Sequence, residues 1–352
     1  MAYTTIDNPE LYFQCKLYTG NGVSGTAITF DGSENMQPDF IWGSCRSHGD
    51  NHWMSDSVRG NTKAIFSNST GTEETSSERI KSFDSNGFTI GDAGDTNTNT
   101  RTFVTWNWKA GGSASSNSNG DITSSVSVNT TAGISIVKYT GNGTGGSTIG
   151  HGLGSVPKSI WLKPLDRTDN WRVYHDKNTS APETDHLKLQ NTNTTADADD
   201  VWNDTAPTST LFTVGANAGV VASGEEIIAY CFAEKKGFSK FGSYTGNGNV
   251  SGGFAYLGFR PSFVMVRDPN NAENWPIYDN KRPGFNVTNK HLFANDTAEE
   301  TSSTANIMDF LSNGFKIRST NNGLNRSGAT FLYWAWAESP FVNSNGVPNN
   351  AR

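Results

Sequence analysis

The chain has 352 residues, of which 34% are hydrophobic, 17% charged and 11% aromatic, with a net charge of −7. Low charge with plentiful aromatics excludes the charge-rich disordered class, and the lack of a basic block excludes the electrostatic footprint of a nucleic-acid binder. No apolar run approaches the ~18 residues of a membrane helix, and the opening MAYTTIDNPE lacks both parts of a secretory leader, so neither membrane insertion nor export is expected.

The first motif in chain order is YTGNG at 18–22. Asn21-Gly22 suits a type I′ turn, which predicts a hairpin. After Pro38 the run DFIWGSCR has strand character, followed by HWMSD with Trp53 and Asp56. FDSNGFTIG (83–91) leads into GDAGDTNTNT (91–100), then into the aromatic strand RTFVTWNWKAGG. Asp92, Asp95, Asn97 and Asn99 bring oxygen ligands at the short spacing that Ca²⁺ takes. The run lacks the EF-hand order and its closing Glu, so the other reading is a plain polar hairpin loop.

GGSASSNSNGD (111–121) has the composition of a flexible linker. YTGNG then recurs at 139–143, with Asn142 and Gly143. The glycine-rich 141–155 lacks the GK[ST] of a phosphate loop. KSIWLKPLDR, NWRVYHD with Trp171 and Asp176, STLFTVG and EIIAYCFAEKKG follow in the same order. A third YTGNG, at 244–248 with Asn247 and Gly248, precedes SFVMVRD, NWPIYDN with Trp275 and Asp279, FLSNGFKIR and TFLYWAWAESPF. One helical turn is predicted within 297–312.

These landmarks keep register. Pro38 to Asp56, Pro157 to Asp176 and Pro261 to Asp279 span 18, 19 and 18 residues. Ordered landmarks repeated three times indicate a triplicated unit, and about 100 residues is the size of a domain with its own core. Short period-2 strands separated by turns predict an all-β chain of three tandem β-sandwich, jelly-roll-like repeats. The expected boundaries are 1–112, a linker at 113–121, 122–236, and 237–352 with an extended tail.

Chemistry is sparse. The histidines form no HExxH or zinc pattern, and Cys15, Cys45 and Cys231 fit packed free thiols. Asp56, Asp176 and Asp279 are expected to accept turn N–H groups, with a nearby Arg or Lys adding a weak surface ion pair. The acidic dipeptides Glu73-Glu74, Asp199-Asp200, Glu225-Glu226 and Glu299-Glu300 are not by themselves the carboxylate pair of a glycosidase, because adjacent strand residues point to opposite faces, and they are expected to be solvated loop charges. No catalytic residue, cofactor or enzymatic activity is assigned. Trp53, Trp171 and Trp275 each follow a polar residue, and two readings stand: core plugs, or an exposed platform on which a sugar ring stacks.

The segments MAYTTIDNPELYFQCKLYTGNG, PDFIWGSCR, TWNWKAGG, VWNDTAPTS, IAYCFAEKKGFSKFGSYTGNG and AESPFVNSNGVPNNAR resemble a family of virion structural proteins of tailed bacteriophages, especially marine ones, often labelled tail-fibre-like. The resemblance spans the chain. It implies a component of the particle surface, tail or capsid, made in the host cytoplasm and packed against other virion proteins or further copies of itself. With no heptads or short-period repeat, a compact knob is expected instead of a shaft, and three fused units would imitate a trimer within one chain. The alternative expectation is an adhesin that binds host surface polysaccharide.

Overall fold

The computed structural model describes residues 3–348. Nearly all regular structure is antiparallel strand. The first third of the chain holds β1 (Phe13–Thr19), β2 (Thr26–Thr29), β3 (Phe40–Cys45), β4 (Trp53–Asp56), β5 (Lys63–Phe66), β6 (Glu74–Thr75), β7 (Ile80–Asp84), β8 (Gly87–Ile90), the one-turn helix α1 (Gly94–Asn97) and β9 (Thr102–Trp108). The second holds β10 (Ser115–Asn117), β11 (Ser124–Asn129), β12 (Ile134–Thr140), β13 (Ser147–Gly150), β14 (Ser159–Pro164), β15 (Arg172–His175), β16 (Asp185–His186), β17 (Ala196–Asp197), α2 (Asp199–Trp202), β18 (Leu211–Val214), α3 (Ala218–Val221) and β19 (Glu226–Phe232). The third holds β20 (Ser239–Thr245), β21 (Phe254–Tyr256), β22 (Phe259–Arg267), β23 (Pro276–Asp279), β24 (Lys290–Phe293), β25 (Thr301–Ser302), β26 (Met308–Leu311), β27 (Gly314–Ile317), α4 (Asn322–Asn325) and β28 (Thr330–Pro340).

Three six-stranded sheets run β1-β9-β3-β4-β5-β6, β10-β11-β12-β19-β14-β15 and β20-β28-β22-β23-β24-β25. Each is faced by a smaller sheet: β2-β8-β7, β13-β18 or β21-β27-β26. We call each large sheet with its small one a lobe. The lobes correspond residue by residue at their centres. Phe40 pairs with Trp108 and with Asp56, Ser159 with Phe232 and His175, and Phe263 with Trp336 and Asp279.

The large sheets differ from an ordinary sandwich because both of their faces are covered. The six residues Phe103–Trp108 of β9 are all buried. One face of the first sheet closes a local core with Ile28, Phe30, Met36, Ile80 and Phe88. The other, carrying Phe40, Trp42, Val104, Trp106 and Trp108, joins a core shared with the second and third lobes. Trp42 meets Trp161 edge-on at 5.6 Å, Phe40 stacks on Tyr230 at 4.3 Å, Trp106 meets Phe263 at 5.5 Å and Phe232 meets Trp336 at 5.3 Å. Each such pair contributes ~0.5–1.5 kcal/mol beyond its buried area. The expected self-contained cores are therefore supplemented by a central one that no lobe builds alone.

YTGNG is not a hairpin turn. β1 pairs with β9, whereas the following β2 pairs with β8. The motif carries the chain from the large sheet to the small one and clips a one-turn helix on the way. The Tyr hydroxyl donates to the helix's penultimate carbonyl: Tyr18 to Thr96, Tyr139 to Val220 and Tyr244 to Leu324, at 2.8, 2.7 and 2.6 Å. The N–H of the second glycine donates to the last helical carbonyl: Gly22 to Asn97, Gly143 to Val221 and Gly248 to Asn325, at 2.8, 2.7 and 2.8 Å. Those carbonyls are orphaned by the helix ending. Gly22, Gly143 and Gly248 have φ of +69°, +76° and +69°. The Asn side chains of the motif accept the N–H two residues on, from Val23, Thr144 and Asn249. Asn21, Asn142 and Asn247 thus keep negative φ, unlike the first central residue of a type I′ turn.

Two further expectations are corrected. The linker at 113–121 contains β10, which hydrogen-bonds β11. The helical turn expected in 297–312 is absent; that stretch supplies β25 and β26. The last four residues of the expected tail lie outside the described residues.

Candidate functional site

The polar chemistry of this chain gathers at the three seams where lobes meet. One backbone bond repeats at each: Glu73 N–H to Leu165 O, Thr195 N–H to Pro269 O, and Glu300 N–H to Arg46 O, at 2.9, 2.8 and 2.8 Å. The donors sit in the first, second and third lobes and the acceptors in the second, third and first, so the set closes a ring. A ring-nitrogen bond repeats in the opposite sense. Trp171 Nε1 donates to Phe66 O and Trp275 Nε1 to Asn191 O, both at 3.0 Å, while His52 Nε2 donates to Asp296 O at 2.6 Å.

The tryptophans expected as a sugar platform are therefore inside the molecule, all 0% exposed. Trp171 and Trp275 immediately precede β15 and β23 and turn toward the neighbouring lobe. Trp53 is not their counterpart. It stands one residue further along its strand and points to the other face, over Gly43, where an added Cβ would lie 2.1 Å from the indole ring. A one-residue displacement on a strand reverses the face, and His52 occupies the seam position in the first lobe.

The aspartates behave likewise. Asp56 Oδ1 accepts from Val58 and Arg59 N–H, and Asp279 Oδ1 from Lys281 and Arg282 N–H. The other oxygen of each takes Arg59 Nε or Arg282 Nε at 2.5 Å. These ion pairs are buried, not on the surface. Both carboxylates also reach across a seam: Tyr230 OH donates to Asp56 at 2.7 Å and Trp106 Nε1 to Asp279 at 3.1 Å. In the second lobe this place belongs to His175, not Asp176. Nδ1 of His175 accepts the turn N–H of Lys177 at 3.1 Å, Nε2 donates to Tyr333 O at 3.2 Å, and the ring stands edge-on to Trp334 at 4.6 Å. Asp176 comes one residue later and pairs with Lys158 and Lys177.

Burial governs the electrostatics here. It drops the His52 and His175 imidazoles to about 4, so both are neutral at pH 7. Burial opposes the Arg59 charge, but Asp56 and its neighbours outweigh it and hold the guanidinium above its ordinary value. Burial would raise the Glu300 carboxyl, yet Arg46, bound through two contacts of 2.8 and 3.0 Å, and Arg282 keep it below the usual range. Glu73 takes Arg59 and Lys63 at 3.3 and 3.2 Å. The inner member of each of these two acidic dipeptides is thus a seam ion-pair partner, not the solvated loop charge expected of it. The three thiols are buried and unpaired.

The calcium loop does not assemble. Asp95 turns to Arg79 at 2.8 Å. Asn97 donates to Val23 O and Gly91 O and accepts from Asn21 N–H, which locks the first YTGNG against α1. Asp92 and Asn99 point to solvent. Among the described residues, no group of three or more His, Cys, Asp or Glu side chains is placed to hold a metal.

Two grooves adjoin at Asn280, Lys281 and Glu338, the first lined by the third lobe alone and the second by the third and first lobes together. One of about 340 Å³ lies beside Arg260, Asn286, Glu338 and the exposed Phe285. The other, about 230 Å³, runs along the start of β1 beside Phe13, Gln14 and Cys15, with Ser262 and Asn280 opposite. Arg260 and Glu338 are paired at 2.6 Å, and Lys281 lies 3.6 Å from Asp31. No helix among the described residues is long and apolar enough to cross a membrane.

No curated protein and no solved structure matches this chain. One family model does, and it covers residues 8–340 as a single unit, from the turn before β1 to the end of β28. The chain belongs to the family described as Domain of unknown function (DUF7483).

Proposed function

We propose that this protein is a non-enzymatic structural component: three copies of one β module closed into a rigid knob on the surface of a bacteriophage particle, on its tail or capsid. The observation that carries this reading is the ring of seam contacts. The residues with reactive potential, His52, His175, Asp56, Asp279, Arg59 and Arg282, are buried, and all but Arg282, which Asp279 holds within its own lobe, place a polar atom on a neighbouring lobe. Groups used in this way serve shape. The virion setting comes from the resemblance of the chain's segments to phage structural proteins. Recognition of host polysaccharide loses its expected residues, because Trp53, Trp171 and Trp275 lie in the interior.

The test is to raise antibody against the folded protein and label intact particles of the phage that encodes it. Decoration at a regular site on tail or capsid is expected. Particles that carry no such chain, by labelling and by mass spectrometry of purified virions, would end the proposal.

A further inference from the structure

Each lobe has a recess between its one-turn helix and the strand that follows its seam residue. In two lobes an arginine fills it. In the second lobe this is Arg172, the first residue of β15, only 5% exposed. Its Nη2 lies 3.3 Å from both Asp169 Oδ1 and Asn217 Oδ1. In the first lobe it is Arg79, which enters from just before β7. Arg79 takes Asp95 of α1 at 2.8 Å and lies over the Phe66 ring at 5.2 Å.

The third lobe keeps the receiving groups and lacks the arginine. Glu273, Pro276 and Asn321 stand where the second lobe has Asp169, Arg172 and Asn217. Phe293, paired with Pro276, stands where the first lobe has Phe66, paired with Trp53. Ile307 replaces Arg79: Gly91 N–H donates to Arg79 O after β8, and Arg318 N–H to Ile307 O after β27. The acceptors are set alike in the second and third lobes. A Cβ added at Gly219 would lie 2.6 Å from Asp169 Oδ2 and 3.1 Å from Asn217 Oδ1; one added at Gly323 would lie 2.8 Å from Glu273 Oε2 and 3.2 Å from Asn321 Oδ1.

What remains in the third lobe is an open pocket of about 150 Å³, with Glu273, Pro276, Phe293, Asn306 and Asn321 in its lining. Its groups can be reached, because Glu273, Phe293 and Asn306 are partly exposed and Asn321 is exposed. The Glu273 carboxylate accepts only from Asn271 Nδ2, at 3.3 Å, and no cation among the described residues is in ion-pair contact with it. Arg267 is committed instead to the backbone carbonyls of Glu273, Thr192 and Asn193.

We infer that this pocket binds the guanidinium of an arginine side chain carried by a partner protein. The guest takes from outside the place that Arg172 fills from within the second lobe. Glu273 supplies the opposite charge, Asn321 Oδ1 a second acceptor, and the Phe293 ring a face for a planar cation. A lysine brings the charge without the planar fork, and the uncharged urea of citrulline has the shape without the charge. The inference stands apart from the virion reading, since it needs only a partner with a surface arginine.

The probe is Nα-acetylarginine methylamide, titrated into the intact protein and followed through its amide resonances. Saturable shifts are expected at Gly323 N–H and at the side-chain amides of Asn274 and Asn321, which line the pocket. The lysine analogue should bind ~10-fold more weakly or less, and the citrulline analogue should not bind. Glu273→Gln removes the charge from a side chain that otherwise touches only Asn271; it should weaken binding ~10-fold or more, the effect of one charge-assisted contact. Pro276→Arg gives the third lobe the arginine of the second and should abolish binding, because the pocket is then filled. Four results would overturn the inference: no saturable shift, shifts confined to other parts of the chain, lysine or citrulline binding as tightly as arginine, or undiminished binding by the folded Pro276→Arg variant. Self-association that shifts the same resonances without probe would also overturn it, by giving the pocket to a second copy. The three analogues are compared on the unaltered protein, so they decide the matter even where a variant fails to fold.

Discussion

The first glycine of each YTGNG offers the sharpest test of the clip and of the shared core. An added Cβ at Gly20, Gly141 or Gly246 would lie 2.3 Å from the carbonyl oxygen of Thr98, Ala222 or Arg326, respectively. Those three residues are the C-caps of α1, α3 and α4. Ordinary contact begins near 3.4 Å, so each alanine overlaps a backbone oxygen by about 1.1 Å. Neither side gives easily. The glycine N–H atoms are tied to Arg101 O, Glu225 O and Ala329 O at 2.8, 2.9 and 2.8 Å, and the clipped helices are held by the Tyr hydroxyls. Overpacking of this kind costs ~1–3 kcal/mol. At roughly 2–4 °C per kcal/mol for a large domain, each variant should melt about 2–12 °C below the parent by calorimetry. Gly94→Ala is the control, because its Cβ meets only Thr98 Oγ1 at 3.4 Å, and alanine favours the helix. Since the central core joins all lobes, the parent should melt in one transition and each of the three variants should move the whole of it. Midpoints within ~1 °C of the parent would refute the steric argument. Two or more transitions, of which a variant moves just one, would refute the shared core.

Other consequences follow from the seams. His52 and His175 are neutral when folded, with values lowered from 6.5 to about 4, so the unfolded chain binds more protons between those limits. Stability from this source is complete above pH 6.5 and falls as the pH drops toward 4, by ~2 kcal/mol per histidine at pH 5; urea titrations at pH 7 and pH 5 measure it, and an unchanged midpoint contradicts it. Asp279→Asn leaves the Arg282 guanidinium buried without its carboxylate and should cost ~3–5 kcal/mol, whereas Tyr230→Phe, which withdraws one hydroxyl from Asp56 and Arg59, should cost ~1–3 kcal/mol; equal losses in denaturant titrations would argue against the buried pair as the stronger tie. Burial raises the Cys15, Cys45 and Cys231 thiols, which are also inaccessible. Native protein should therefore leave a thiol reagent unreacted while denatured protein consumes three equivalents; fast native reaction would place a thiol at the surface.

Spacing in the sequence also held the correction to two of its landmarks. Pro38, Pro157 and Pro261 lie 18 residues before Asp56, His175 and Asp279, and 14 before His52, Trp171 and Trp275. Matching by residue type selected Asp176 and Trp53; matching by count selects the true counterparts. The difference matters because strand side chains alternate, so an error of one residue moves a side chain to the opposite face. The pocket beside Pro276 was not legible at all, because a residue that stands in an arginine's place is recognised only once the strands and helices of the lobes are laid over one another.

Composition, turn residues and alternation by themselves determined that this chain is all-β with many short strands, and the order of its landmarks determined that corresponding segments recur three times. These are local properties, set by which residues tolerate positive φ and which alternate along a strand. Tertiary structure alone decided that the second faces of the three large sheets meet in one core, that YTGNG holds helices instead of turning hairpins, and that charged and aromatic landmarks sit in seams instead of at the surface. The physical reason is that burial depends on what lies opposite a face, and the groups opposite come from segments more than one hundred residues away, as Tyr230 does for Asp56 and Asp279 does for Trp106.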